Sequence, residues 1–216
     1  MKWFSELIGK KKFRQLEVDQ LFDLSLIRQP DVNLVCFKRP VDDDIEIFVR
    51  SLIQQSFHGI NTSVHSASVA NLIHEQLDPF GLYTPGKMKL AQDILKITQA
   101  FFSVVQTDRA KLILKIVADD ACRKFHTDAY DLRLLCTYVG KGTEWIEDQY
   151  VNRKKLASGT NEEIIKDSSR IQRMQPFEVA VLKGEISSRP KCKGIVHRSP
   201  PIQYTGEKRL ILRIDY

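Results

Sequence analysis

The chain has 216 residues, of which 43% are hydrophobic and 28% are charged. This balance is ordinary for a globular protein, and the length fits one domain, with or without a helical annex. No apolar run approaches the roughly 20 residues of a membrane span. Three lysines at positions 10–12 stand where a signal peptide would be apolar. We therefore expect a cytoplasmic protein that does not insert into a membrane.

The formal net charge of +6 is unevenly distributed along the chain. Residues 151–216 contain 14 Lys or Arg and 7 Asp or Glu, a net +7, so residues 1–150 sum to −1. A basic C-terminal part of this kind can attract nucleic acid or an anionic small molecule. A solvated basic surface is the favoured interpretation, because the basic residues are not interleaved with the aromatic platform that single-strand binders use.

The four cysteines, Cys36, Cys122, Cys136 and Cys192, are widely spaced and form no CxxC pair. A protein of this size needs no disulfides, and the spacing does not match a structural zinc site. We expect reduced thiols, with Cys36 and Cys136 buried because they fall in apolar runs.

The first part of the chain is predicted to be mostly helical. Residues 1–30 form a mixed lead-in segment, which could be helical around residues 17–26, and residues 31–110 form a helical annex. Pro40 and the three aspartates after it favour a helix start, and the apolar residues that follow recur at helical spacing. Within the annex we predict a short strand at residues 33–38 and three helices. The first helix begins after Pro40, and the other two cover residues 64–77 and 89–106.

The periodicity changes at Lys111. Leu112, Leu114 and Ile116 alternate with Lys111 and Lys115, as in a half-buried strand. Further short strands are predicted at residues 123–128, 132–139, 143–146, 178–183, 194–198 and 209–216. Helices followed by a run of short strands favour an α+β fold, with residues 111–216 closing into a double-stranded β-helix (jelly-roll, cupin-like) barrel.

Three residues in the predicted strands are candidate metal ligands. His126 and Asp128 lie two apart in one strand, so their side chains share a face, and His197 follows in another strand, 69 residues after Asp128. Two histidines and one carboxylate form a facial triad that leaves coordination positions open, which suits Fe(II) handling a co-substrate and O2. A chance pair that only forms hydrogen bonds is the alternative for His126 and Asp128. The other histidines, His58, His65 and His74, fall in the helical annex and are interpreted as non-ligands.

Basic residues follow the third candidate ligand. Arg209 lies 12 residues after His197 at the start of the last strand, and alternation places Arg209 and Arg213 on one face. An arginine there can form two hydrogen bonds to the distal carboxylate of an oxo-acid whose other end chelates iron. Arg213 and Lys208 are alternatives for this role, and both arginines could instead face solvent. Arg198 and Ser199, next to the third ligand, are further candidates for contact with an anionic ligand.

The order HxD, then a histidine, then a basic residue resembles the Fe(II)/2-oxoglutarate-dependent dioxygenases over residues 111–216. The segments FHTD, LRLLCTYVGKGTEW, VAVLKGE, VHRSPP and GEKRLIL also resemble the bacterial family of uncharacterised proteins called DUF1826, over most of the chain beyond residue 30. That family has no settled activity, and its members tend to lie near zinc-starvation genes, so the resemblance implies zinc as a rival to iron. Arg133 in the LRLL segment could line the barrel beside the metal, although buried hydrogen bonding is the commoner role.

Three functions stay open from the sequence. The first is an oxygenase with Fe(II) on His126, Asp128 and His197, and with 2-oxoglutarate held by Arg209. The second is a zinc-binding module of metal homeostasis that uses the same ligands, with water as the fourth. The third is a nucleic-acid binder, which would lose affinity with salt. The sequence identifies neither the substrate nor the oligomeric state.

Overall fold

The structure is a computed structural model that describes residues 13–81, 85–120, 122–186 and 193–216. Cys192 and the lysines at positions 10–12 lie outside the described residues. Cys36, Cys122 and Cys136 are free thiols, and Cys36 and Cys136 are buried, as predicted. Among the described residues, no helix is both long and apolar enough to cross a bilayer.

The chain forms ten strands, four α-helices and several short 3-10 helices within the described residues. The strands are β1 Arg14–Val18, β2 Val32–Phe37, β3 Ile60–His65, β4 Arg109–Val117, β5 Leu132–Val139, β6 Glu144–Ile146, β7 Gln172–Arg173, β8 Val179–Lys183, β9 Val196–Arg198 and β10 Arg209–Asp215. The helices are α1 Asp43–Gln54, α2 Val69–Leu77, α3 Pro85–Val105 and α4 Asn161–Ile164. The 3-10 helices are Leu21–Arg28, Asp148–Tyr150, Arg153–Lys155 and Ser168–Arg170.

The helix predicted after Pro40 is confirmed, and its cap explains where it begins. The Asp42 carboxylate accepts hydrogen bonds from the backbone N–H groups of Asp44 and Ile45, at 3.1 and 3.2 Å. These bonds satisfy two amides that have no partner within the helix. All five apolar residues at helical spacing are buried: Ile45, Phe48, Val49, Leu52 and Ile53.

The strands form two sheets. The large sheet has the order β1-β2-β8-β5-β10-β4-β3, and the small sheet has the order β7-β6-β9. Only β1 and β2 pair in parallel, and the other described neighbours are antiparallel. The fold therefore contains both helices and sheets, as predicted from helices followed by short strands, and its strand pairing is mostly antiparallel.

The large sheet is buried on both faces. Leu134 of β5 packs in a core shared with α1, α2 and α3, whereas the next residue, Leu135, packs in a second core with Trp145 of β6. Because successive side chains of a strand point to opposite faces, one face is covered by helices and the other by the small sheet. On the far side of the small sheet, Ile146 and Val196 pack with Ile164 of α4. The space between the sheets is where the candidate site lies.

Two predictions about the elements need correction. Residues 123–128 are not a strand, because the Phe125 N–H donates to the Asn161 side chain at 2.8 Å, and only His126 forms a bridge, to His197. The helix predicted over residues 64–77 begins only at Val69, since β3 pairs with β4 as far as His65. The segment around residues 17–26, for which a helix was considered, contains the end of β1 and the start of a 3-10 helix.

The large sheet draws strands from all three predicted segments. β1 comes from the lead-in, β2 and β3 come from the annex, and β4 straddles the predicted boundary at residue 110. The annex therefore contains sheet strands as well as helices. The division of the chain at residues 30 and 110 stays a prediction.

Candidate metal centre

The structure brings His126, Asp128 and His197 together. One ligand atom of each residue lies within 4.8 Å of the others. The Nε2 atom of His126 is 3.8 Å from Asp128 Oδ1, and the Nε2 atom of His197 is 3.4 Å from Asp128 Oδ2. Asp128 and His197 are buried, and the His126 side chain is about one-third exposed. These residues could hold one divalent cation between them.

A backbone bridge places the two histidines side by side. The N–H of each residue donates to the carbonyl of the other, with both distances 3.0 Å, and the ring centroids are 4.6 Å apart. His197 is also the direct partner of Trp145 in the pairing of β9 with β6, so both side chains face the space between the sheets. The bridge therefore fixes the position of His126 without a strand.

Backbone carbonyls orient both imidazole rings. Nδ1 of His126 lies 2.8 Å from the Lys124 carbonyl, and Nδ1 of His197 lies 3.2 Å from the Ile195 carbonyl. A carbonyl only accepts, so Nδ1 carries the proton in each neutral ring and Nε2 presents a lone pair toward Asp128. This is the arrangement that a metal-binding histidine commonly has, with the second nitrogen donating to a carbonyl.

Burial keeps His197 in its neutral form. Desolvation lowers the pKa of the His197 imidazole to about 4, although the nearby Asp128 carboxylate acts in the opposite direction. The ring is therefore uncharged near neutral pH. A metal ligand must be unprotonated, so this state suits coordination.

The Asp128 carboxylate has one satisfied oxygen and one unsatisfied oxygen. Oδ1 accepts a hydrogen bond from Nη1 of Arg133, whereas Oδ2 is buried and has no hydrogen-bond partner within the described residues. A buried acceptor without a partner is costly. A cation between the two imidazoles and this oxygen would remove that cost, so the three residues fit a metal site.

Arg133 connects the Asp128 carboxylate to the last strand. Its Nε donates to Asp215 Oδ1 at 2.6 Å, and Nη2 of Arg213 lies 2.9 Å from Asp215 Oδ2. Arg133 thus pairs with two buried carboxylates, which accounts for its own burial. The contacts of Arg133 are those of a residue that positions Asp128, although it also lines the adjoining pocket.

Arg209 is a buried cation without a carboxylate partner among the described residues. The residue is 1% exposed, and its Nη2 donates to Thr137 Oγ1 at 3.2 Å. Its Nε has no hydrogen-bond partner in the described part of the chain. Burial lowers the pKa of the guanidinium to about 10, so it still carries its charge near neutral pH. An anion that reaches Arg209 could therefore pair with a guanidinium whose positive charge is not otherwise compensated.

One pocket between the sheets contains Arg209 together with both histidines. Its lining residues are Lys115, Val117, Cys122, His126, Arg133, Leu135, Thr143, His197, Arg198, Ser199, Arg209, Ile211 and Arg213. Arg198 lies at the wall but donates to Glu144 at 2.8 Å and stacks over the Phe125 ring. Lys208, the other predicted alternative to Arg209, is exposed and does not line this pocket.

Some residues of the pocket, and Asp215, which pairs with Arg133 and Arg213 behind it, were missed from the sequence. Asp215 could have been found, because alternation along β10 places it on the same face as Arg209 and Arg213. Lys115 was assigned to a strand but not to the site, since the neighbour of β4 in the sheet was unknown. Cys122 and Thr143 gave no signal in the sequence.

The match to a family model covers residues 18–215, and the chain belongs to that family, described as "Protein of unknown function (DUF1826)". This confirms the resemblance seen in the sequence motifs. A search of curated proteins finds no significant match.

Solved structures similar to this chain include dioxygenases. The rice dioxygenase for auxin oxidation has a TM-score of 0.51 at 9% identity, covering 94% of this chain and 82% of that one. The Kdo hydroxylase KdoO, a non-heme Fe(II) alphaketoglutarate-dependent dioxygenase, has a TM-score of 0.43 at 9% identity, covering 94% and 89%. A full-length Neurospora crassa protein in complex with alpha-KG has a TM-score of 0.42 at 11% identity, covering 96% and 86%. Of these three likenesses only the first exceeds a TM-score of 0.5, and it concerns the fold alone.

Proposed function

We propose that this chain is an Fe(II)- and 2-oxoglutarate-dependent oxygenase with the double-stranded β-helix fold. The metal ligands in this proposal are His126, Asp128 and His197. Arg209 binds the distal carboxylate of 2-oxoglutarate. The substrate is not identified by this assignment.

The fold part of the proposal rests on the two sheets. A small sheet covers one face of a large antiparallel sheet, with a shared apolar core between them, which is the layered arrangement of a jelly roll. His197 is the direct partner of Trp145, which packs in this inter-sheet core, so the candidate ligands lie next to it. The fold likeness to the rice dioxygenase is consistent with such a barrel.

The metal part rests on the chemistry of the donors. Two neutral imidazoles and one carboxylate leave coordination positions open on an octahedral ion, as in the non-heme Fe(II) oxygenases. Bound Fe(II) would supply the activation of O2 and couple it to the oxidative decarboxylation of 2-oxoglutarate. The buried Oδ2 of Asp128, which accepts no hydrogen bond from the described residues, is the atom that most directly supports a bound cation.

The observation that carries the proposal is the buried Arg209, which shares a pocket with the two histidine ligands and has no carboxylate partner in the described chain. A zinc module has no use for this cation, and an uncompensated buried charge is costly. A dicarboxylate that reaches both the metal ligands and Arg209 accounts for it. Thr137, which accepts a hydrogen bond from Arg209, holds the guanidinium in place.

In this proposal each residue of the site has a separate role. Arg209 binds and orients the co-substrate, Arg133 holds Asp128 in position, and His197 stays neutral because it is buried. The inter-sheet core, which includes Leu135 and Ile211, excludes water from one side of the pocket. Low water content strengthens each of these electrostatic contacts.

A turnover assay tests this function. The protein is reconstituted with Fe(II) without oxygen, exposed to O2, and assayed for succinate formed from 2-oxoglutarate. Succinate above the level of an Asp128→Ala control supports an oxygenase. Stoichiometric zinc binding without any affinity for 2-oxoglutarate would favour the zinc module, which uses the same donors.

A further inference from the structure

The pocket beside the candidate metal ligands carries more positive charge than 2-oxoglutarate would neutralise. Five cationic side chains line it, and no carboxylate does so among the described residues: Lys115, Arg133, Arg198, Arg209 and Arg213. Arg133 pairs with Asp128 and Asp215, and Arg213 also pairs with Asp215. Arg198 pairs with Glu144, so each of these three arginines has a carboxylate partner. Arg209 and Lys115 are left without a carboxylate partner in the described chain.

Arg209 and Lys115 differ in how deeply they lie. Arg209 is 1% exposed, at the buried end of the pocket, whereas Lys115 is exposed. The co-substrate of the proposed oxygenase would neutralise Arg209, since its distal carboxylate needs a buried partner. Lys115 then remains as an unpaired cation, among the residues that the structure describes, on the solvent side of the same pocket.

The strand register places Lys115 close to the arginines. Lys115 of β4 is the direct partner of Ile211 of β10, with Arg209 and Arg213 two places away on either side of Ile211. Diagonal neighbours on one face of an antiparallel pair have their Cβ atoms about 7–8 Å apart or slightly less. A small molecule in the pocket can therefore contact Lys115 while the co-substrate contacts Arg209.

From this juxtaposition we infer that the substrate carries a negatively charged group, a carboxylate or a phosphate, that pairs with Lys115 at the mouth of the pocket. The inference rests on the proposed oxygenase function and names the chemical class of its substrate. The half-buried Ser199, which also lines the pocket, offers a hydroxyl donor to the same anion. The part of the substrate that reacts would lie deeper, toward His126 and His197.

Lys111 provides a matched control. It is an exposed lysine on the same strand and face as Lys115, four residues away, but it does not line the pocket. Its direct partner on β10 is Asp215 rather than Ile211. A general attraction of anions to this face would involve both lysines, whereas a site at the pocket mouth involves only Lys115.

The experiment titrates inorganic phosphate and, separately, acetate into the 15N-labelled, metal-free protein at constant ionic strength. Saturable shifts of the backbone amides around Lys115 and Ile211 are expected. Lys115→Gln should weaken this binding at least about fivefold, the loss typical of one hydrogen bond to a charged group, and Lys111→Gln should weaken it less than about twofold. The anion that binds more tightly identifies the group as phosphate or carboxylate. The same titration into the Zn(II)-loaded protein with 2-oxoglutarate should still show binding.

Three results would overturn the inference. These are the absence of saturable binding of either anion, equal weakening by the two lysine substitutions, and displacement of the anion by 2-oxoglutarate. The last result would assign Lys115 to the co-substrate. The metal-free titration needs no turnover, so it tests the anion site separately from the oxygenase. If the protein bound phosphate at Lys115 but bound neither Fe(II) nor 2-oxoglutarate, the oxygenase would be contradicted and the anion site would be kept.

Discussion

Arg133 donates a hydrogen bond to Oδ1 of Asp128 and leaves Oδ2 buried, without a hydrogen-bond partner in the described part of the chain. One oxygen is thereby fixed by the protein while the other stays available to a cation. The same guanidinium pairs with Asp215, so the Asp128 carboxylate is linked to the last strand. The position of the ligand therefore depends on a buried network of charges.

Arg133→Ala should destabilise the protein and weaken its metal binding. It leaves the carboxylates of Asp128 and Asp215 buried without their shared cation, and breaking a buried pair in this way costs about 3–5 kcal/mol. The affinity for metal should fall about 10- to 100-fold, as for other residues that orient a ligand. Urea unfolding and metal titration measure the two effects. Arg213→Ala is the control, and it should lower the free energy of unfolding less, because the Arg213 side chain is partly exposed. If Arg133→Ala were as stable as the wild type, the proposed network of charges would be refuted.

Gly184→Ala should displace the loop that carries Asp128. A Cβ atom at Gly184 would lie 1.8 Å from the Tyr130 carbonyl oxygen and 2.7 Å from the Asp128 carbonyl oxygen. The loop must move, so we expect metal affinity to fall at least about tenfold, as when a ligand loses its support. Gly206→Ala is the control for a general loss of stability: its added Cβ would meet no atom within 4 Å, and the positive φ of 74° at Gly206 should cost stability without changing the metal affinity. Isothermal titration with Zn(II) compares the two variants, and an unchanged affinity in Gly184→Ala would show that the loop adapts.

The three ligand assignments predict a common phenotype. His126→Ala, Asp128→Ala and His197→Ala should each abolish stoichiometric metal binding while the fold is kept, because each removes one donor of a three-donor site. His58→Ala, which changes an exposed histidine outside the pocket, should keep full metal content. Elemental analysis and circular dichroism measure metal and fold. Retention of metal in any two of the three ligand variants would disprove the triad.

Arg209→Met should make the metal-free protein more stable. The guanidinium is desolvated without a carboxylate partner in the described chain, and an apolar side chain of similar size avoids the cost of that burial. We expect the free energy of unfolding to rise by about 1 kcal/mol or more, as for other replacements of buried charge. Urea unfolding of the metal-free variant measures this. A fall of similar size would mean that Arg209 stabilises the fold and is not held for a ligand.

Much of the strand pattern could be predicted from the sequence. β5 begins and ends at Leu132 and Val139 as predicted, because turns follow an apolar run there, and β10 begins at Arg209 as predicted. The segment at residues 123–128 could not be predicted, since its backbone bonds go to Asn161 and to His197, both remote in sequence. The short strand β7 has only two residues, which is too few for a periodic signal.

The clustering of the three candidate ligands could be predicted from the sequence, but the residues that hold them in position could not. The spacing of His126, Asp128 and His197 indicated a triad, and the structure places these residues together. The roles of Arg133 and Lys115 depend on which strands are neighbours. Ile211 lies beside Lys115 only because β10 inserts between β4 and β5, and no local pattern in the sequence specifies that order.

The most direct test of the account is a titration of 2-oxoglutarate into the Fe(II)-loaded protein without oxygen, followed by its charge-transfer absorption. The absorption of the wild type should saturate as 2-oxoglutarate is added. Arg209→Ala should lower the affinity for 2-oxoglutarate at least about 30-fold, because removing one partner of a desolvated charge pair costs about 2–5 kcal/mol. The affinity for Fe(II) should change far less, and Lys208→Ala should behave as wild type. Binding that is lost in Arg213→Ala but kept in Arg209→Ala would reassign the anchor. No binding to the wild type at millimolar 2-oxoglutarate would contradict the oxygenase.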